Sequence, residues 1–272
     1  MKPLRHIIPL WRLERLWSLF SRLIWAALWR ISFPRRTVRT LGLYRVKNED
    51  RWIAMSLERT LEVADEVILL DDHSTDMTRE IAGGFRNVTV IRSPFSGLDE
   101  TRDKNYLLSI AFSRRPRWIV FLDGDEVLTK RAVVEAKAAI ARGAGGVWLF
   151  RIVYLWNSEN LERVDGLFGT LFAPRLFSLF DQNRWKLHYP PSGFGGNYHC
   201  GQVPKNHSGP FWNATSSIKH YGYMLPEIRQ IRYETYTTFD PNNEQEGNYV
   251  HILEKPNRRA PGPTVLRAFA EE

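Results

Sequence analysis

Two short apolar runs, each broken off by a cluster of acids, constrain this chain more than any other feature. Glu66-Val67-Ile68-Leu69-Leu70 leads into Asp71-Asp72-His73-Ser74-Thr75-Asp76, and Trp118-Ile119-Val120-Phe121-Leu122 leads into Asp123-Gly124-Asp125-Glu126. Runs of this length, bounded by polar turns, have the pattern of strands buried on both faces of a parallel sheet. In open α/β sheets, ligands bind beyond the carboxyl ends of the strands. Two strands that deliver carboxylates to that edge predict a site for a hydroxyl-rich ligand and a divalent cation, Mg²⁺ or Mn²⁺. Such ions prefer oxygen donors and bridge substrate phosphates.

The flanking segments extend the pattern. Val38 to Val46 reads as a first strand, followed by a helix from Arg51 to about Ala64 that Asp50 is placed to cap. A short helix from Asp76 closes at Gly83-Gly84, and Val88 to Ile91 is a third strand. A helix starting at Asp99 or Thr101 runs to about Ser113, and another spans Thr129 to Arg142. Val147 to Trp156 is a further β-prone run. This alternation predicts an α/β fold, a mostly parallel central sheet with helices on both faces. Beyond residue 157 the pattern is irregular, with strand candidates at Leu171 to Phe180 and Ser217 to Tyr223 and a helix from Pro226 to about Thr237. Residues 241–272, rich in Pro, Asn and Arg, read as a flexible tail.

Charge is concentrated at the start. Residues 1–40 hold nine Lys/Arg and one acid, which leaves 29 of each in the remainder. A basic footprint for nucleic acid over the body is therefore not supported. In residues 4–33, four tryptophans and many aliphatics are interrupted by arginines. The longest clean apolar stretch, Leu23 to Trp29, is far short of the ~20 residues that span a bilayer. Arg5, Arg12, Arg15, Arg22 and Arg30 fall on one side of a helical wheel, and most of the rest is apolar. An amphipathic helix over 1–36 is expected, either lying on an anionic membrane surface through residues 1–33 or packed on the body or a partner. On the first reading the body is peripheral on the inner, cytoplasmic face of the membrane. The single cysteine, Cys200, fits a reducing compartment. The sequons at Asn87, Asn206 and Asn213 read as chance matches.

Taken in order, these elements resemble the family 2 glycosyltransferases with the GT-A fold, over about residues 38–240. Arg45-Val46-Lys47-Asn48-Glu49 is similar to that family's Asn-Glu turn, and Asp71 to Asp76 to its Asp-Asp-x-Ser-x-Asp turn. Lys104-Asn105 sits where Arg-Asn is frequent. Asp123-Gly124-Asp125-Glu126 resembles its Asp-x-Asp motif, in the form found in enzymes that extend lipopolysaccharide cores. Ile218 to Tyr223, before an Arg- and Tyr-rich helix, resembles the tail of that subgroup.

The resemblance implies a metal-dependent, inverting transfer from a nucleoside diphosphate sugar to a glycan or lipid-linked acceptor. Residues 37–156 would then form the nucleotide-sugar half and 157–240 the acceptor half. Arg45, Asn48, Glu49, Asp71, Asp72, Lys104 and Asp123 become donor-binding candidates, although Asp71 and Asp76 serve equally as turn caps and Lys104 as surface. Asp123, Asp125 and His220 become candidate metal ligands. His199 is weaker, because His199-Cys200-Gly201-Gln202 lacks the Glu common in the subgroup. For the general base the sequence offers Glu126 or Asp165. Trp156, Trp185, Tyr189, Phe194 and Trp212 either stack on sugars or build core. Two rivals stand beside this reading. A nucleotidyltransferase is opposed by the absence of glycine in Arg45 to Asp50, and a non-catalytic glycan-binding scaffold by the intact Asp123/Asp125 pair.

Overall fold

The structure, a computed structural model, describes residues 39–143, 145–180, 182–192, 200–242 and 248–271. The expected helix over 1–36, His199 and Phe194 lie outside the described residues. Four strands, β1 (Thr40–Val46), β2 (Glu66–Asp71), β3 (Val88–Arg92) and β4 (Trp118–Leu122), pair in parallel in the order β3-β2-β1-β4. Their side chains alternate between two cores. Tyr44, Val46, Val67, Leu69, Trp118, Val120 and Leu122 pack on one face with α1 (Ile53–Leu61) and α4 (Lys130–Arg142). Leu41, Leu43, Ile68, Leu70, Ile119 and Phe121 pack on the other with α3 (Glu100–Arg114). Each such aliphatic side chain contributes about 1.5–3 kcal/mol when fully buried, so the two-faced burial is what holds the parallel half together. The short α2 (Thr78–Gly83) joins β2 to β3.

Beyond β4 the sheet departs from the expected βα alternation. β8 (Phe172–Ser178) inserts antiparallel between β4 and β6 (Val147–Trp156), so β6 regains the direction of β4 without touching it. β9 (Phe211–His220) then adds parallel to the far side of β6 and pairs antiparallel with β5 (Glu126–Leu128). The β5/β9 register sets Glu126 opposite His220. β7 (Ser158–Arg163) and β10 (Leu266–Ala268) continue from the end of β6, and α5 (Pro226–Phe239) follows β9.

Two expectations are corrected. Asp50 does not cap α1: the first turn is held by the Glu49 carbonyl, which accepts from Trp52 and Ile53 N–H, while Asp50 N–H donates to Asp76. The flexible tail expected over 241–272 does not hold for 248–271. Tyr249, Ile252 and Ala260 are buried, β10 pairs with β7, and Glu271 accepts from Lys219 and from the Lys130 N–H. The apolar residues there are too sparse for a periodic signal, but Trp156, Phe168 and Tyr223 offer them an aromatic bed. Among the described residues no helix is long and apolar enough to cross a membrane.

Candidate active site

The parallel topology brings the turns after β1, β2 and β4 to one edge, and the acids gather there. At the end of β1, Arg45 donates through Nε to Asp103 of α3 at 2.8 Å and through a terminal nitrogen to Asp72 at 2.7 Å. Asp72 is 3 % exposed at its side chain. Burial raises its pKa, with Arg45 opposing. Asn48 takes a left-handed φ of 57° and ties the first turn to the second: its N–H donates to Ser74 Oγ, and its Oδ1 accepts from Thr75 N–H. Asp71 is fully buried and serves its own turn, accepting from Ser74 N–H. Asp76 likewise caps, accepting from Thr78 and Asp50.

Glu49 and Asp125 share one cation. Arg232 of α5 donates to Asp125 Oδ2 at 2.6 Å and to Glu49 Oε1 at 3.2 Å. Burial and then the charge of Asp125 push the Glu49 carboxyl above the ordinary range, with Arg232 opposing. His220 Nε2 stands 3.7 Å from the same Asp125 oxygen, and its ring rests against Tyr154 and Tyr223. Its Nδ1 is buried without a hydrogen-bond partner. Two glycines make this closeness possible. A Cβ on Gly124 would lie 2.7 Å from Glu49 Cγ, and one on Gly222 would lie 2.0 Å from Asp125 Oδ2.

Asp123 is the open carboxylate of the group, 45 % exposed at its side chain. Its Oδ1 accepts from Gln202 at 2.9 Å, and Arg175 stands 3.6 Å from its Oδ2. The surrounding protein desolvates it, yet the charges of Arg175 and Lys104 and the Gln202 bond hold its pKa below the ordinary value. Arg175 makes a two-pronged pair with Glu126, at 2.6 and 2.5 Å. A Glu126 oxygen also accepts from Asp123 N–H at 3.2 Å.

The structure thus gathers Arg45, Asn48, Glu49, Asp72, Asp123, Asp125 and His220 at one edge. It does not present either candidate base openly. Glu126 is 1 % exposed with both oxygens held by Arg175, the geometry of an anchor. Asp165 pairs with Arg163 and accepts from Val265 N–H, where it fastens the C-terminal segment. Lys104 is neither open nor solvated: its ammonium donates to the Cys200 carbonyl at 2.6 Å and pairs with Glu100. Trp156 and Tyr189 are core, whereas Trp185 and Trp212 are exposed.

Sequence reasoning missed Arg175, Gln202 and Arg232. Arg175 had a signal: it is the one charge in the otherwise uncharged strand Phe172–Ser178, and a charge buried in a strand demands a carboxylate.

Two carboxylates and an imidazole are a chemically suitable donor set for Mg²⁺ or Mn²⁺. Among the described residues no three His, Cys, Asp or Glu side chains form a cage for a metal. A cation shared with a diphosphate needs only one or two protein carboxylates, so the residues present fit that mode.

Comparison with known proteins places these elements. The family model described as glycosyl transferase family 2 matches residues 46–198. Uncharacterized proteins of Mycobacterium tuberculosis and Mycobacterium bovis are each 26 % identical over 221 residues, covering 75 % of this chain and 51 % of their own length. The chain thus spans about half the length of the curated relatives it matches. Among solved structures, S. aureus TarS 1-349 in complex with UDP is similar with a TM-score of 0.47 at 16 % identity, over 79 % of this chain and 70 % of that one. Glucosyl-3-phosphoglycerate synthase from Mycobacterium tuberculosis, in complex with Mn²⁺, UDP and phosphoglyceric acid, gives a TM-score of 0.32 at 18 % identity, over 43 % of each chain.

Proposed function

Because the chain belongs to glycosyl transferase family 2, we propose that it transfers a sugar from a nucleoside diphosphate sugar to a hydroxyl of a glycan or lipid-linked acceptor. The acceptor class we favour is cell-envelope polysaccharide or lipopolysaccharide, and the transfer is inverting. The observation that carries this reading is the convergence of Glu49, Asp72, Asp123 and Asp125 beyond the carboxyl ends of β1, β2 and β4, with Arg232 and His220 closing over Asp125.

In this reading Arg45 orients Asp72, whose second oxygen meets the donor base, while the Asn48 turn walls the same pocket. Asp123 and Asp125, with His220, would hold Mg²⁺ or Mn²⁺. When bound, that ion neutralises charge on the departing nucleoside diphosphate. Arg175 and Gln202 fix the carboxylate of Asp123, and Arg232 balances Glu49 and Asp125. The location we propose is the inner face of a membrane, held through residues 1–33.

The test is thermal stabilisation of the purified chain by a panel of nucleoside diphosphates and their sugars, with and without Mn²⁺ or Mg²⁺. A ligand at about 100 times its Kd stabilises by about 2.7 kcal/mol, a readable shift. A metal-dependent shift with one nucleotide, lost in Asp125→Asn, is expected. A folded sample that no nucleotide stabilises, or full turnover in Asp125→Asn, would sink the assignment.

A further inference from the structure

The edge opposite the carboxylates has its own chemistry. Parallel strands all enter a sheet at the same edge, so the loops before β1, β3, β4 and β6 lie together there, and the loop after antiparallel β8 joins them. Contacts confirm the grouping: Arg39 donates to the Ile140 carbonyl, Arg184 to the Pro116 carbonyl, and Val147 N–H to the Pro210 carbonyl. These loops and the end of α4 present Arg39, Arg86, Arg115, Arg117, Arg142 and Lys186, all exposed. Among the described residues no carboxylate side chain pairs with any of the last five. The acids nearest in sequence are already engaged. Asp65 accepts from the N–H groups of Arg39 and Thr40, Glu62 pairs with Arg59, and Glu66 pairs with Arg114. Burial, and then the like charge of Arg115, push the Arg184 guanidinium below its ordinary value, which accords with cations crowded without counter-charges.

The same edge exposes aromatic side chains. Trp185 is 75 % exposed and sits between Arg184 and Lys186 in sequence. Phe211 and Trp212, at the entry of β9, are 63 % and 43 % exposed, and the Trp212 indole N–H points to the Gly145 carbonyl beside Arg142. The body as a whole is balanced in charge, so a cationic, aromatic edge is an asymmetry and not a general property of its surface. The described chain also begins on this edge, at Arg39. The sequence before it, residues 1–38, carries eight Lys/Arg and one acid.

We propose that this edge is the surface on which the catalytic body rests against an anionic bilayer, with its basic side chains on lipid phosphates and Trp185, Phe211 and Trp212 at headgroup depth. Lys and Arg gain about five-fold in partition each near an anionic leaflet, and Trp prefers its interface. The inference rests on the peripheral placement proposed above and adds that the body itself, beyond residues 1–33, carries part of the attachment.

The experiment is co-sedimentation of the 272-residue chain with phosphatidylcholine vesicles, with and without phosphatidylglycerol, at two salt concentrations. The triple variant Arg86→Gln, Arg115→Gln, Lys186→Gln is compared with wild type and with a charge-matched control, Arg51→Gln, Lys137→Gln, Lys255→Gln. A 10- to 100-fold weaker, phosphatidylglycerol-dependent partition of the triple variant is expected, with the control unchanged. Trp185→Ala should lower the part of the binding that survives high salt. Wild-type partition by the triple variant, an equal loss in the control, or binding to duplex oligonucleotide in place of vesicles would overturn it. Nucleotide-induced stabilisation is measured on the same samples. Its absence with intact vesicle binding defeats the donor reading alone, and its presence with no vesicle binding defeats this inference alone.

Discussion

At the scale of single residues, the site depends on two places where a side chain is missing. Gly124 lets the acidic turn lie on Glu49, and Gly222 leaves room for the carboxylate of Asp125 between Arg232 and His220. Placing a methyl group at Gly222 puts carbon 2.0 Å from Asp125 Oδ2 and 2.8 Å from an Arg232 nitrogen, so one of them must move. Displacements near 1 Å at a reacting centre cost on the order of 100-fold in rate. On the function proposed above, Gly222→Ala is expected to lower kcat by roughly that factor while the urea midpoint changes little, and to raise the Mn²⁺ concentration needed for half-maximal activity. Steady-state kinetics across a metal titration check it, and unchanged kinetics would mean that the Asp125–Arg232–His220 group is not where transfer occurs. Much of this group was legible, because Asp-Gly-Asp-Glu and the Asp71 to Asp76 turn are acid-dense at strand ends, although Asp71, Asp76 and Glu126 serve the fold itself. Arg232 was not, because an arginine on a helix rich in Arg, Glu and Tyr carries no local sign of which one turns inward.

At the scale of elements, β8 shows what sequence periodicity leaves open. The parallel strands β1, β2 and β4 were readable because burial on both faces makes them continuous apolar runs. The strand Leu171 to Phe180 was readable too, but not its antiparallel place between β4 and β6, since pairing is a long-range choice that no local pattern encodes. That place brings Arg175 beneath the acidic turn, where Glu126 neutralises it. Burial pushes the Glu126 carboxyl up and Arg175 pulls it back, so the pair is stable only as a pair. Removing one partner of a buried pair costs about 3–5 kcal/mol, whereas replacing both with apolar side chains costs far less. Arg175→Met should therefore destabilise by about that amount, and Arg175→Met with Glu126→Leu should recover most of it in urea unfolding. The double variant should still be slow in turnover, because Asp123 loses both the nearby guanidinium and the acceptor for its N–H. If the double variant is no more stable than the single, the pair is not the source of the loss.

At the scale of the whole molecule, the C-terminal segment fastens the irregular half of the domain. Between β7 and α5 only β8 packs into both sheet cores, through Leu176 and Phe177, and the rest of that stretch has no two-faced apolar run to hold it. Instead Trp156 lies under the guanidinium groups of Arg163 and Arg229, at 4.6 and 4.3 Å, and Arg163 donates to the His251 carbonyl. His251 is one titratable group of this clamp, beside Glu254 and Asp165: it is buried, and its Nδ1 accepts from the Asn257 amide. Burial, then the charges of Arg163 and Arg259, depress its pKa from 6.5 to about 4. The unfolded chain takes up this proton near pH 6.5 and the folded one only near pH 4. The contribution is thus fully present above pH 6.5 and is lost as pH falls toward 4. At about 1.36 kcal/mol per unit, the loss is on the order of 2–3 kcal/mol. Urea unfolding of wild type and His251→Asn at pH 7.5 and pH 4.5 should show the variant losing less stability between the two by about that amount. Equal losses would place the acid sensitivity elsewhere. Because His251 lies in the segment that composition alone assigned to a flexible tail, a pH-dependent term at this position also reports whether that segment is docked in solution: an undocked histidine would titrate near its ordinary value and contribute no slope.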